Sequence, residues 1–161
     1  MTYEEAAAAI APGLYRHFKG NHYRVLAIAR HSETTEPMVV YQALYGTGGI
    51  WVRPADMWNE TVERGGKVIR RFSPLSRAER VAFYEKIFDE VQSAPRDETQ
   101  ETAEARDELR MKVNLLDEYY TSGMWQEDYE ADEAGAFPAD LKRGVLSQDA
   151  LYDFLLGRRT E

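Results

Sequence analysis

The sequence predicts an α+β protein: a short helix and a small antiparallel β-barrel in residues 1–75, then a helical module of about three helices in residues 76–161. Three observations predict it. Between Leu14 and Phe72, short runs rich in Val, Ile, Tyr and Trp alternate with glycine-bearing turns, as in a small meandering barrel. Beyond Ser76 the apolar residues recur at helical spacing instead. The charge changes at the same boundary. Residues 1–75 hold nine Lys/Arg against seven Asp/Glu, a net of +2, and residues 76–161 hold eleven against twenty-one, a net of −10, which together make the −8 of the chain.

Thr2 and Glu5 have the spacing of a capping box, opening an Ala-rich helix from Glu4 to Ala11 that Pro12-Gly13 stops. The expected strands are Leu14–Phe18, Tyr23–His31, Met38–Tyr45, Ile50–Arg53 and Lys67–Phe72, separated by Lys19-Gly20-Asn21, Ser32–Pro37, Gly46–Gly49 and Arg64-Gly65-Gly66. Tyr23–His31 and Met38–Tyr45 are apolar on both parities and so belong in the middle of the sheet. Pro54–Trp58 reads as one helical turn. Ser76 and Glu79 form a second capping pair, after which Val81, Tyr84, Ile87, Phe88 and Val91 line one helical face as far as Ser93, with Pro95 as breaker. Glu98–Glu108 has the charge of a linker. A second stripe, Ala105, Leu109, Val113, Leu116 and Tyr120, runs to Gly123, a C-terminal cap. The two helices should lie antiparallel. Met124–Tyr129 leads into an irregular stretch, Ala131–Arg143, and a last helix from Ser147 carries Leu151, Phe154 and Leu155.

A chain of 161 residues with 43% apolar and 30% charged residues can bury a core and is not disordered. It contains no cysteine, which removes disulfides, thiolate catalysis and sulfur-ligated zinc and fits a reducing compartment. No apolar run approaches the ~18 residues of a membrane span, and Met1-Thr2-Tyr3-Glu4-Glu5 lacks the basic start of a secretion signal. A soluble, cytoplasmic protein is expected. The acidic half repels phosphate backbones over a Debye length of about 8–10 Å, so broad nucleic-acid binding is not expected.

The blocks Tyr15-Arg16-His17-Phe18-Lys19-Gly20, His31-Ser32-Glu33-Thr34, Val39 to Gly46 (VVYQALYG) and Trp51-Val52-Arg53-Pro54 occur in this order in Gly13–Phe72. Through them this part closely resembles a bacterial and phage family, domain of unknown function sixteen fifty-three. That resemblance implies an SH3-like small barrel and brings no established activity. Ser76–Leu155 resembles domain of unknown function forty-two ninety-eight through Trp125–Glu133 and Leu141–Asp149. It implies a mostly helical module, again without chemistry.

No catalytic constellation assembles. His31 and Ser32 are adjacent and point to opposite faces of an extended segment, so they cannot act as base and nucleophile. His31-Ser32-Glu33 matches half of a zinc-deaminase signature whose other half needs cysteine. Asp128, Glu130 and Asp132 have calcium-loop spacing, but Glu133 stands where that loop needs glycine. Gly46-Thr47-Gly48-Gly49 lacks the lysine-serine pair of a phosphate loop. No cofactor and no metal are expected.

One constellation remains. Arg16, Lys19, Arg30 and Arg53 supply charge, Tyr23, Tyr41 and Trp51 supply rings, and His31 and Ser32 supply polar orienters, with His17 and Tyr45 nearby. Guanidinium forks suit phosphate or carboxylate oxygens and aromatic faces stack on planar rings. The expected function is a non-enzymatic binding module that captures, and in effect sequesters, an anionic, nucleotide-like small ligand. The helical part would close the site or mediate self-association. One alternative is a protein-interaction adaptor using the stripes at Tyr84–Phe88 and Leu109–Leu116. A second is a metal-dependent hydrolase acting through His17, His22 and Glu33.

Overall fold

Thr2 opens the first element as a capping box. Its hydroxyl accepts the Glu5 N–H at 3.1 Å and the Glu5 carboxylate accepts the Thr2 N–H at 2.7 Å. The helix so capped, α1 (Tyr3–Ala9), is followed by seven strands and five further helices: β1 (Gly13–His17), β2 (His22–Arg30), β3 (Pro37–Ala43), β4 (Ile50–Pro54), α2 (Ala55–Trp58), β5 (Thr61–Arg64), β6 (Lys67–Arg70), β7 (Phe72–Pro74), α3 (Arg77–Gln92), α4 (Ala103–Thr121), α5 (Met124–Glu133) and α6 (Ala150–Arg159). The structure is a computed structural model and describes residues 1–94 and 102–159. Pro95 and the first part of the charged Glu98–Glu108 segment lie outside the described residues. The chain divides into two units, Met1–Leu75 and Ser76–Glu161, each an α+β or helical body with its own core.

In the first unit five antiparallel strands form one sheet in the order β4-β3-β2-β1-β7, and β5 and β6 form a separate hairpin. The expected barrel is therefore an open sheet. The chain between β4 and β7 is spent on α2 and the hairpin, and the edge strands β4 and β7 do not pair. β5 was not expected, and the Lys67–Phe72 run divides between two sheets. The central position of β2 and β3 follows from their apolar sequence. β3 alternates strictly, with Pro37, Val39, Tyr41 and Ala43 buried and the residues between them half-buried. Ala6 from α1 and Ile10 at its C-terminal cap, Ala55 and Trp58 from α2, and Tyr15, Val25, Val39, Tyr41 and Phe72 from the sheet make the core. The register shifts between Val25 and Ala27, a bulge that re-aims the second half of β2 so that Ile28 and Arg30 keep to the same face as Tyr23 and Val25.

Among its described residues the second unit has four α-helices and a 3-10 turn at Gly144–Leu146, where about three helices are expected. α3 buries the face its spacing predicts: Val81, Tyr84, Ile87, Phe88 and Val91, with Phe83. Ser76 caps it, accepting the Glu79 N–H at 3.2 Å. α4 presents a different stripe from the expected one. Leu116 is buried as expected, but it is joined by Met111, Leu115 and Tyr119, while Leu109, Val113 and Tyr120 are only half-buried and Ala105 is exposed. Gly123, at φ 93°, ends α4 in the left-handed conformation that favours glycine and at once caps α5. The acidic run Glu127–Glu133 is thus the body of a helix. Below it, the segment 138–146 is held by side chains. Glu85 accepts the Val145 N–H at 2.6 Å, Trp125 donates to the Val145 carbonyl at 2.9 Å, and Arg143 pairs with Asp132. No helix among the described residues is long and apolar enough to cross a membrane.

Candidate functional site

Cross-strand partners share a face, so the register decides which side chains meet. Tyr15 pairs with Tyr23, Val25 with Tyr41, Tyr41 with Trp51, Val39 with Arg53 and His17 with Phe72. Tyr15, His17, Tyr23, Tyr41, Trp51, Arg53 and Phe72 therefore stand on one face, over the core. The rings form a continuous cluster. Trp58 stacks on Phe72 at 3.7 Å with an interplanar angle of 2°, and Tyr41 meets Trp58 edge-on at 5.0 Å. Tyr23 meets Tyr41, Tyr45 and Phe72 at 5.5, 5.6 and 5.6 Å. His17 lies 4.9 Å from Phe72 and 4.5 Å from Phe18.

The Arg53 guanidinium sits 5.7 Å from the Phe72 ring centre. These residues belong to opposite edge strands, so the sheet curls until its margins meet through side chains although their backbones stay unpaired. At the mouth of this curl the rings become accessible. Tyr41 is 7% exposed, Tyr45 43% and Trp51 60%. Trp51 and Tyr45 flank the Gly46–Gly49 loop, and a Cβ on Gly49 would lie 3.2 Å from the Trp51 indole nitrogen, so glycine gives the indole its place.

Two titrating groups respond to this setting. Burial, then the hydrogen bond with Tyr45 at 3.0 Å, pushes the Tyr23 phenol up to about 12. Burial, then the charges of Arg71, Arg53 and Lys19, push the His17 imidazole below its ordinary value. His17 Nδ1 accepts the Lys19 backbone N–H at 3.2 Å, so the neutral ring carries its proton on Nε2 and offers a donor there.

The nine expected ligand residues do not all gather. Tyr23, Tyr41, Trp51 and Arg53 share the curled face, and Lys19 stands beside it, its ammonium 5.8 Å from the Phe18 ring. Arg16 pairs in register with His22 and Ser73 and lies on the opposite face, because adjacent strand residues alternate. Arg30 is spent on α1, stacked 3.7 Å over Tyr3 with Glu4 at 3.8 Å. His31 caps the β2–β3 turn, its Nδ1 accepting the N–H groups of Glu33 and Thr34 at 3.1 and 3.3 Å, and Ser32 is an exposed residue of that turn. His31 and Ser32 therefore shape a hairpin, not this face. Two cations that the expected set omitted join it instead. Arg64 lies 5.8 Å from Phe18 and donates to its carbonyl at 3.3 Å, and Arg71 bonds Glu60 at 3.1 Å. Among the described residues no group of three potential metal ligands converges.

The second unit holds a buried polar cluster of another kind. Asp128 is fully buried and accepts from Arg80 at 2.9 and 2.5 Å and from the Tyr119 hydroxyl at 2.6 Å, with Arg77 at 3.6 Å. Burial and the Asp128 bond raise the Tyr119 phenol far above its ordinary range. Burial pushes Arg80 down, but the bond and charge of Asp128 outweigh it and raise the guanidinium. The carboxylate is saturated with donors, which suits a structural tie better than a reactive group. A groove of about 410 Å³ between α3 and residues 138–142 carries Lys86 and Lys142 beside Glu85, Asp89 and Asp140, a mixed lining that does not favour an anion.

Residues 13–74 match the family model described as a protein of unknown function, DUF1653, and residues 82–160 match a domain of unknown function, DUF4298. A crystal structure of a DUF1653 protein from Bordetella bronchiseptica is 42% identical, over 43% of this chain and 91% of that one, with a TM-score of 0.40. Residues 13–74 belong to the DUF1653 family. The DUF1653 part coincides with the strand-bearing unit and so carries the aromatic face, Tyr23, Tyr41, Trp51 and Arg53 included. The DUF4298 part carries Asp128 and its donors. No curated protein matches the chain.

Proposed function

We propose that the DUF1653 unit is a non-enzymatic binding module whose curled face captures a planar, anionic small ligand of nucleotide type. One observation carries this reading: accessible rings, Trp51 and Tyr45, stand at the mouth of a face where Arg53 lies 5.7 Å from the Phe72 ring, Lys19 and Arg64 lie 5.8 Å from the Phe18 ring, and the charges of Arg71, Arg53 and Lys19 act on His17. A stacked base and a bound anion are what such a surface accommodates. Stacking on an aromatic platform is worth about 1–3 kcal/mol per base, and a charge-assisted hydrogen bond about 1.5–3 kcal/mol. Titration calorimetry of the full chain against a nucleotide panel should find a ligand that Arg53→Ala weakens by at least ~1 kcal/mol. A flat panel would remove the reading.

A second reading, the protein-interaction adaptor, draws support from β4. This edge strand exposes Ile50, Trp51 and Val52 consecutively, at 63%, 60% and 62%, and edge strands invite pairing with another chain. The helical stripes once suited to that role are occupied: Tyr84, Phe88 and Leu116 are buried within the second unit. Recovery of one stoichiometric protein with the full chain, lost on Val52→Lys, would favour the adaptor.

A further inference from the structure

Resting on the anion-binding reading of this face, we propose that the group it selects is a phosphomonoester dianion, in preference to a singly charged phosphodiester or carboxylate. Positive charge gathers around a connected set of rings. Lys19 and Arg64 each stand 5.8 Å from the Phe18 ring centre, and Arg53 stands 5.7 Å from that of Phe72. His17 bridges the two rings at 4.5 and 4.9 Å. Arg71 joins through its charge, which acts on the His17 imidazole.

Against these four cations stands one carboxylate, Glu60, on Arg71 at 3.1 Å. Among the described residues, Lys19, Arg53 and Arg64 make no ion pair. The set therefore holds three uncompensated positive charges. Arg71 itself is engaged by Glu60, and its Nε–H is buried without a hydrogen-bond partner among the described residues. His17 contributes a donor without contributing charge, since the Lys19 N–H occupies Nδ1 and leaves the proton on Nε2.

A monoanion leaves two of the three charges repelling one another. A dianion leaves one, and its three terminal oxygens give separate acceptors to guanidinium, ammonium and imidazole N–H groups. A diester offers one charge and two free oxygens. Lys19 and Arg64 are exposed, so their share of the discrimination should weaken with added salt.

The test is calorimetric titration of the full chain with adenosine 5′-monophosphate, its 3′,5′-cyclic diester, adenosine and nicotinate. The monophosphate should bind at least about tenfold more tightly than the cyclic diester. Its affinity should rise between pH 5.5 and 7.5 as its second proton, with a pKa of about 6, is lost, while that of the diester stays level. Lys19→Ala and Arg64→Gln, both at exposed positions, should each narrow the preference for the monophosphate over the cyclic diester. Equal affinity for monophosphate and cyclic diester, or nicotinate binding as tightly as the monophosphate, would overturn the dianion assignment and leave the anion-binding reading standing. Binding of none of the four would overturn both.

Discussion

Asp128→Ala is expected to destabilise the helical unit by about 3–5 kcal/mol, the cost of breaking a buried ion pair from one side. The substitution removes the acceptor from three donors at once. Arg80 points two N–H groups at the carboxylate, at 2.9 and 2.5 Å, and its side chain is 18% exposed, so water cannot fully replace the partner. The Tyr119 hydroxyl, at 2.6 Å from Asp128, is left in a fully buried site, stacked 3.8 Å from Tyr84. Because the energy lies in leaving partners stranded, it should not add. Arg80→Met with Tyr119→Phe in the Asp128→Ala background should recover part of the loss, as replacing all members of a polar cluster with apolar groups does. Urea titration with hydrogen exchange of the α3, α4 and α5 amides measures both effects. An Asp128→Ala loss below ~1 kcal/mol would mean that the cluster contributes little.

Trp58→Ala should cost the sheet unit about 3–5 kcal/mol, the usual range for emptying a buried aromatic site. Trp58 is 2% exposed and is the hub of the core rings, stacked on Phe72 at 3.7 Å and edge-on to Tyr41 and Tyr15 at 5.0 and 5.5 Å. It stands on α2, a helix of four residues with no side-chain cap, so α2 stays in place by burying Ala55 and Trp58 and not by intrinsic propensity. Losing the indole should therefore release α2 as well as open a cavity. Trp58→Phe keeps a ring and should cost less than half as much. Thermal unfolding followed by aromatic circular dichroism distinguishes the two variants.

Much of this architecture is legible in the chain, and where it is not the reason is physical. α3 could be read because its buried residues are plain hydrocarbon and aromatic side chains at helical spacing. α5 could not. It buries Trp125, Asp128 and Ala131, so one of the three inward positions is a carboxylate and the run looks like solvated surface. The same choice explains α4: its stripe is rotated to put Tyr119, the donor to Asp128, inward. β5 is a four-residue strand, Thr-Val-Glu-Arg, with one apolar residue and no alternation to read.

In the candidate site, period two was sufficient to place Tyr41 with Trp51 and Arg53 once strands were assigned, and it also separates Arg16 from Tyr15 and His17. The capture of Arg30 by Tyr3 and Glu4 depends on α1 folding back on the sheet, a long-range event with no local signal. Arg64 and Arg71 enter the cluster for the same kind of reason. They belong to the hairpin and the link to β7, whose places follow from how the open sheet curls.

Under the proposed reading it is the curled face, among the surfaces of the described residues, that takes up an anionic planar ligand. The three tryptophans suit it to a single measurement, since Trp51 lies at the mouth, Trp58 in the core beneath it and Trp125 in the helical unit. Titrating the full chain with adenosine 5′-monophosphate while recording the indole N–H and imidazole resonances should shift Trp51 and His17 strongly, Trp58 weakly and Trp125 not at all. Saturation with Trp51 and His17 unmoved, or a response centred on Trp125, would contradict the account.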